Sequence, residues 1–303
     1  MKPTRSQARK KRIRWDTEGV IVSDVQTGYG RKIVLRAINL TVRIGGFLGL
    51  LGPNGSGKST LLKAIIKYLP VSAGRIALLG NDLSTLTPKD IARQVGVVPQ
   101  KLETKFELTV RELVTLGRYP HLTPLSHGDT EDGRIVEESM AAVNILHLSD
   151  RLITEISGGE FQRAIVAQAL AQTPQILILD EPTTHLDISH QIDLCELLLK
   201  LNREKGLTII TALHDLNLAA RYCQEVVLLK DGKIFASGPT DDLLSEALLE
   251  EVYGVRVRKE RDPFTGKPYF LYYAQKTEAP HQPGAANYPQ NLQEDIEIIE
   301  EKT

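Results

Sequence analysis

Gly52-Pro53-Asn54-Gly55-Ser56-Gly57-Lys58-Ser59-Thr60 fits the pattern G-x-x-x-x-G-K-[S/T], and the rest of the chain is best read outward from it. With glycine near 7% of residues and similar frequencies at the other fixed positions, chance supplies such a match in roughly one chain in a hundred of this length. The flanks sharpen the reading. Phe47–Leu51 is a strand-like apolar run, and Lys58–Leu69 has a helical pattern. A glycine-rich loop running into a helix N-terminus offers backbone N–H groups to phosphate oxygens. Its glycines let the main chain curl close to the anion. Lys58 is placed to neutralise β- and γ-phosphates, and Ser59 to coordinate Mg²⁺.

A second element answers the first. Ile176-Leu177-Ile178-Leu179 is apolar at every position, as expected of a strand covered on both faces, and it ends in Asp180-Glu181. The C-terminal end of such a strand is where α/β sheets bind ligands. Asp180 there would hold Mg²⁺, directly or through water. Glu181 would polarise a water attacking the γ-phosphate.

Further strand-like runs are Gly19–Val25, Ile33–Leu40, Arg75–Leu79, Val95–Val98 and Thr208–Ala212, with helical patterns at Gly158–Gln172 and Ile188–Glu204. Strands alternating with helices predict an α/β fold with a mostly parallel sheet. Two regions depart from it. Residues 19 to 43 read as successive strands of a small antiparallel sheet. From about Gln100 to Gln172 no strand is convincing, while Thr109–Leu116 and Glu131–Leu146 read as helices, so a helical insertion is expected. Asp231-Gly232, between Glu225–Lys230 and Lys233–Ala236, is the dipeptide of a tight hairpin turn. Val255–Tyr273 reads as a small added strand pair.

The 303 residues carry a formal net charge of −1, with 42% hydrophobic and 25% charged residues, which suits a sizeable core and gives no global field for nucleic acid. No apolar run approaches the roughly 18–20 residues that span a bilayer, so membrane work would need another chain. The two cysteines, Cys195 and Cys223, match no zinc or redox spacing and suit a reducing compartment. Residues 1–17 form a basic tail (Lys2, Arg5, Arg9, Lys10, Lys11, Arg12, Arg14) with no apolar signal region after it. Residues 276–303 turn Pro/Asn/Gln-rich and then acidic, the composition of a poorly ordered tail, which leaves residues 18–275 as the folded unit with a helical subdomain near 100–172.

The phosphate loop and the Asp180-Glu181 strand together resemble the P-loop NTPases, and further motifs narrow this to the ATP-binding-cassette (ABC) ATPases. Ile156-Ser157-Gly158-Gly159-Glu160 resembles the signature L-S-G-G-Q. Gln100 stands at the place of the Q-loop, His214 at that of the switch histidine, and His185-Leu186-Asp187 at that of the D-loop. Tyr29 precedes the phosphate loop where the family places an aromatic against adenine. The order of motifs is the family's, over roughly residues 18 to 275. The resemblance implies a RecA-like parallel-sheet core, an N-terminal antiparallel β-subdomain and a helical subdomain. It implies ATP and Mg²⁺ as ligands, with Gln100 sensing Mg²⁺ and the attacking water and His214 contacting the γ-phosphate. It also implies a head-to-tail dimer in which Ser157 and Gly159 meet the γ-phosphate of ATP held by a second copy, with Gly158 and the D-loop acid Asp187 also among the nucleotide-binding positions. Ile156 and Glu160 replace the usual Leu and Gln, and His185 stands where many relatives have a small residue.

Gly117-Arg118-Tyr119-Pro120-His121, Thr183–Gln191 and Asp262–Pro268 resemble the ATPases of importers for ferric siderophores, haem and cobalamin; zinc and manganese importer ATPases share much of this. The implied setting is the cytoplasmic face of a membrane, beside transmembrane permease subunits and, indirectly, a cargo-binding protein. A soluble ABC ATPase of iron–sulfur cluster assembly is the alternative. A chromosome-type ATPase would need a long coiled-coil insertion, and a translation factor two cassettes. A non-hydrolysing scaffold does not suit a chain that keeps Lys58, Asp180, Glu181 and His214. His121, His127, His185 and His190 are dispersed and lack metal-ligand spacing.

Overall fold

A computed structural model describes residues 18–102, 106–122 and 130–274. The two tails and His127 lie outside the described residues. In chain order the elements are β1 (Glu18–Tyr29), β2 (Lys32–Arg43), β3 (Phe47–Leu51), α1 (Lys58–Ile65), β4 (Val71–Leu78), β5 (Asn81–Asp82), α2 (Pro88–Ala92), β6 (Val95–Val98), α3 (Val110–Thr115) and α4 (Thr130–Ala142). Then follow α5 (Gly158–Ala171), β7 (Ile176–Asp180), α6 (Ile188–Lys205), β8 (Thr208–Ala212), α7 (Leu216–Tyr222), β9 (Glu225–Lys230), β10 (Lys233–Pro239), α8 (Thr240–Leu243), α9 (Glu246–Tyr253), β11 (Arg256–Arg261) and β12 (Pro268–Tyr273).

The central sheet has the order β10-β9-β3-β8-β7-β6, parallel throughout except for β10, which returns antiparallel at one edge. Its inner strands are apolar on both sides because both sides are covered. Leu48, Leu50, Ile176, Ile178 and Ile210 pack into one cluster with α1 and the N-terminal sheet. Phe47, Leu51, Leu177, Leu179 and Ile209 pack into the other, with α3 to α7. The second sheet, β2-β1-β4-β5, is antiparallel. Its long strands are irregular: Asp24 and Ala37 take positive φ at register shifts, so each strand bends while keeping its apolar face inward.

Between β6 and β7 lies the helical segment. Arg118, buried, ties α4 to α5: its guanidinium donates to Asp132 Oδ1 at 2.7 Å and to the carbonyl of Ala171 at 2.6 Å. One isolated bridge, Thr109 with Leu152, is the only pairing outside named strands among the described residues. Two helices are shorter than their apolar pattern suggested. α1 stops at Ile65 because Lys67 turns to φ 60°, and Pro70 follows. α4 stops at Ala142, with Asn144 at φ 60° before a single 3-10 turn at Leu146–Leu148. Leu146 belongs to that turn rather than to the helix.

At the C-terminus, β11 and β12 form the expected strand pair. Its outer edges are closed by side chains. Val257 and Lys259 N–H donate to Glu250 and Glu246 of α9, at 3.0 and 2.7 Å. On the other side the Asn217 amide of α7 both accepts from Phe270 N–H (2.6 Å) and donates to its carbonyl (3.2 Å). No described helix is long and apolar enough to cross a membrane.

Candidate active site

Four adjacent parallel strands each deliver one group at their C-terminal ends. β3 runs into the glycine loop, β8 ends two residues before His214, β7 ends at Asp180 with Glu181 next, and β6 ends two residues before Gln100. Cross-strand hydrogen bonds fix these ends, Leu213 N–H to the Leu50 carbonyl (3.1 Å) and Glu181 N–H to the Ala212 carbonyl (3.2 Å). The site is therefore a consequence of sheet order.

Within the loop, Gly52 adopts φ 141°, and a Cβ there would stand 2.1 Å from the Leu229 carbonyl oxygen, so no other residue fits. The loop curls over Lys58, which is 4% exposed and donates to the carbonyls of Gly52 (2.8 Å) and Pro53 (3.4 Å). Burial pushes the Lys58 amine below its ordinary pKa, against the opposing pull of Glu181 and Asp180. The first N–H groups of α1 have no partner within the helix and face the loop. Ser59 Oγ donates to Asp180 Oδ1 at 2.8 Å, which joins α1 to β7. Asp180 is held above the usual carboxylate range, chiefly by burial, with Glu181 adding to the rise.

Glu181 is 8% exposed, and its backbone sits at φ 53°. That conformation costs a non-glycine residue energy and is typical of functional positions. It turns the carboxylate into a clasp, with Oε1 2.5 Å from His214 Nε2 and Oε2 2.5 Å from Gln100 Nε2. Gln100, expected to sense Mg²⁺ and the attacking water, donates its amide to Glu181, the carboxylate expected to polarise that water.

A cleft beside the loop is lined by Tyr29, Asn54, Gly55, Gly57, Lys58, Ser59, Thr60 and Glu181. Tyr29, half exposed, forms one wall. The lining also includes Lys32, which pairs with Tyr29 across the β1–β2 hairpin, Val34, and the Asp231-Gly232 turn, whose sequence signals a hairpin but not a place in the site. That turn has the expected backbone, φ 50° and 72°, and its role beyond a hairpin is a brace. Gly232 N–H donates to the Ser56 carbonyl (3.2 Å) and its carbonyl accepts from Arg36 N–H (2.9 Å). Only long-range pairing reveals this; the dipeptide alone signals a turn.

Ser157, Gly158, Gly159 and Asp187 are not among the residues lining this cleft. Ser157 caps α5 in a reciprocal box. Its Oγ accepts from Glu160 N–H (3.3 Å), while the Glu160 carboxylate accepts from Ser157 N–H and from its hydroxyl, both at 2.8 Å. The glutamate that departs from the signature pattern is thus a capping residue, and these bonds hold it below the ordinary carboxylate range. Asp187 caps α6 by accepting from His190 N–H at 2.9 Å.

A P-loop at the end of β3, an acidic strand end beside it and a carboxylate clasped by Gln and His define an ATP-hydrolysing cassette. The comparisons agree. Residues 35–184 match the family described as ABC transporter. The chain is 45% identical over 243 residues to the ferric enterobactin transport ATP-binding protein FepC of Escherichia coli K12, covering 80% of this chain and 89% of that protein. It is 37% identical to the iron(3+)-hydroxamate import ATP-binding protein FhuC of Bacillus subtilis 168, covering 81% and 91%. Among solved structures, the dimeric bacterial ABC transporter cassette MJ0796 superposes with a TM-score of 0.64 at 28% identity, covering 73% of this chain and 98% of that one. The chain belongs to the ABC transporter ATP-binding family, and it is an ABC ATPase.

Proposed function

We propose that this chain hydrolyses ATP to energise uptake of a metal chelate, of the ferric-siderophore, haem and cobalamin class, through a separate permease at the cytoplasmic face of a membrane. The observation that carries the catalytic part is the clasp of His214 and Gln100 on Glu181, beside Lys58. The cargo class rests on the relatives FepC and FhuC, whose names describe iron-chelate transport.

ATP lies with its base against Tyr29 and its phosphates over the loop from Gly52 to Thr60. Lys58 then exchanges its loop carbonyls for β- and γ-phosphate oxygens. The Ser59 hydroxyl and Asp180 carboxylate, 2.8 Å apart, are hard oxygen donors that fit Mg²⁺, which takes a few protein oxygens together with phosphates and water. An ion held by these two residues would neutralise charge on the phosphates. Glu181 orients the attacking water and draws its proton. His214 reaches the γ-phosphate, and Gln100 reports the state of the site to the permease side. Two copies of the chain close head to tail, so that Ser157, Gly158, Gly159 and Asp187 of one meet ATP held by the other.

The test is to isolate the tagged chain from native membranes in mild detergent and identify what accompanies it by mass spectrometry. A many-helix permease in stoichiometric amount is expected. Recovery only from the soluble fraction, with cluster-assembly proteins, would overturn the transport reading.

A further inference from the structure

His190 lies on the first turn of α6, outside the cleft, and has two attachments. Its Nδ1 is 2.8 Å from Asp187 Oδ1. The Cδ2–Nε2 edge of its ring rests on Gly159: a Cβ built there would stand 2.2 Å from Cδ2 and 2.8 Å from Nε2. The imidazole thus occupies the place that a side chain at Gly159 would take. The neighbouring Gln191 holds the other side of the same loop, donating to the carbonyls of Leu186 (2.9 Å) and Thr183 (3.3 Å). His185, in that loop, is kept at φ 69°. One turn further along, Arg163 of α5 and Asp193 of α6 pair at 3.2 Å and keep the two helices in register.

We infer that His190 is a positioning residue that locks the Ser157–Gly159 turn to the Asp187 loop of the same chain, so that both reach the opposite ATP as one rigid piece. This rests on the proposed reading in which these segments meet ATP across a dimer. The physical reason is alignment. The N–H groups at the start of α5 are useful to a phosphate only if aimed at it, and misplacement by about 1 Å at such a point costs up to about 100-fold in rate. A ring wedged between a glycine and a capping carboxylate removes that freedom. Asn at this position would keep a donor near that of Nδ1 but lose the ring, and Phe would keep the ring but lose the donor.

The experiment measures ATP-driven dimerisation by sedimentation in a Glu181→Gln background, with His190→Ala, His190→Asn or His190→Phe added, alongside binding of a fluorescent ATP analogue to the monomer. The inference predicts unchanged monomer binding, because Lys58 and its loop are untouched. It predicts dimerisation weakened by about 10- to 100-fold for Ala, with smaller losses for Asn and Phe. The same order should appear in kcat when Glu181 is intact. A Glu181→Gln/His190→Ala protein that dimerises as tightly as Glu181→Gln overturns the inference and leaves the dimer reading standing. Failure of Glu181→Gln itself to dimerise with ATP overturns the dimer reading and the inference together.

Discussion

Replacing Glu181 with glutamine isolates the proton-accepting role of its carboxylate from its shape. The parent side chain receives Gln100 on one oxygen and His214 on the other, each at 2.5 Å. In the variant the amide oxygen still accepts from Gln100, and the amide N–H can donate to His214 Nε2 when the imidazole proton sits on Nδ1. The clasp and the φ 53° backbone therefore persist, and folding is little affected. What disappears is the base. General-base catalysis contributes roughly 10²–10⁴-fold, and at about 1.36 kcal/mol per tenfold that is roughly 3–5 kcal/mol of barrier. Steady-state phosphate release should fall by that factor, while ATP affinity changes less than about threefold because the loop and Lys58 are intact. Single-turnover quench measurements place the loss in the chemical step. A kcat within about threefold of the parent would refute the assignment of Glu181 as base.

Other perturbations have equally definite outcomes. Asp180 has its pKa raised above 3.8 on folding, so ionising it opposes folding: the stability it contributes is present at low pH and is lost as pH rises through the raised value. Asp180→Asn should accordingly melt no lower than the parent at neutral pH without ligand, yet lose the Mg²⁺-dependent part of the thermal shift given by ATP; scanning calorimetry with and without magnesium checks both. Arg118→Ala removes a guanidinium that bonds both Asp132 and the Ala171 carbonyl in the interior, and should destabilise the protein by about 3 kcal/mol in denaturant titrations. A loss below about 1 kcal/mol would mean that this pair is not the tie it looks to be.

Much of this architecture is legible in sequence because its signals are local. Phe47–Leu51 and Ile176–Leu179 are apolar throughout, and a strand covered on both faces has no other composition. The loop from Gly52 to Ser59 and the pair Asp180-Glu181 are contiguous, so their chemistry can be read without knowing the fold. The features that escaped are those that depend on pairing across the chain. Asp231-Gly232 announces a turn, but its contact with Ser56 follows from β9 lying beside β3. Gln100 is legible as a site residue, but the contact of its amide with Glu181 follows from β6 and β7 being neighbours whose ends face each other. Gly117–His121 resembled a subgroup marker; in the fold, Arg118 is buried and His121 Nε2 lies 2.9 Å from the Gln172 carbonyl, so this stretch pins the helical segment to the end of α5. The apolar pattern overruns the helix ends where a residue with positive φ, Lys67 or Asn144, stops an otherwise suitable helix.

Hydrolysis with Glu181 as base drives uptake of a metal chelate on this account, and a ferric siderophore is the cargo of that class to try first. The most direct test is accumulation of radio-iron supplied as a ferric siderophore, in cells of the source organism whose own copy of this chain has been replaced by the Glu181→Gln form. Uptake should fall to the level of cells lacking the chain and return when the parent is restored. Uptake at the parental rate with Glu181→Gln as the sole copy would contradict the account.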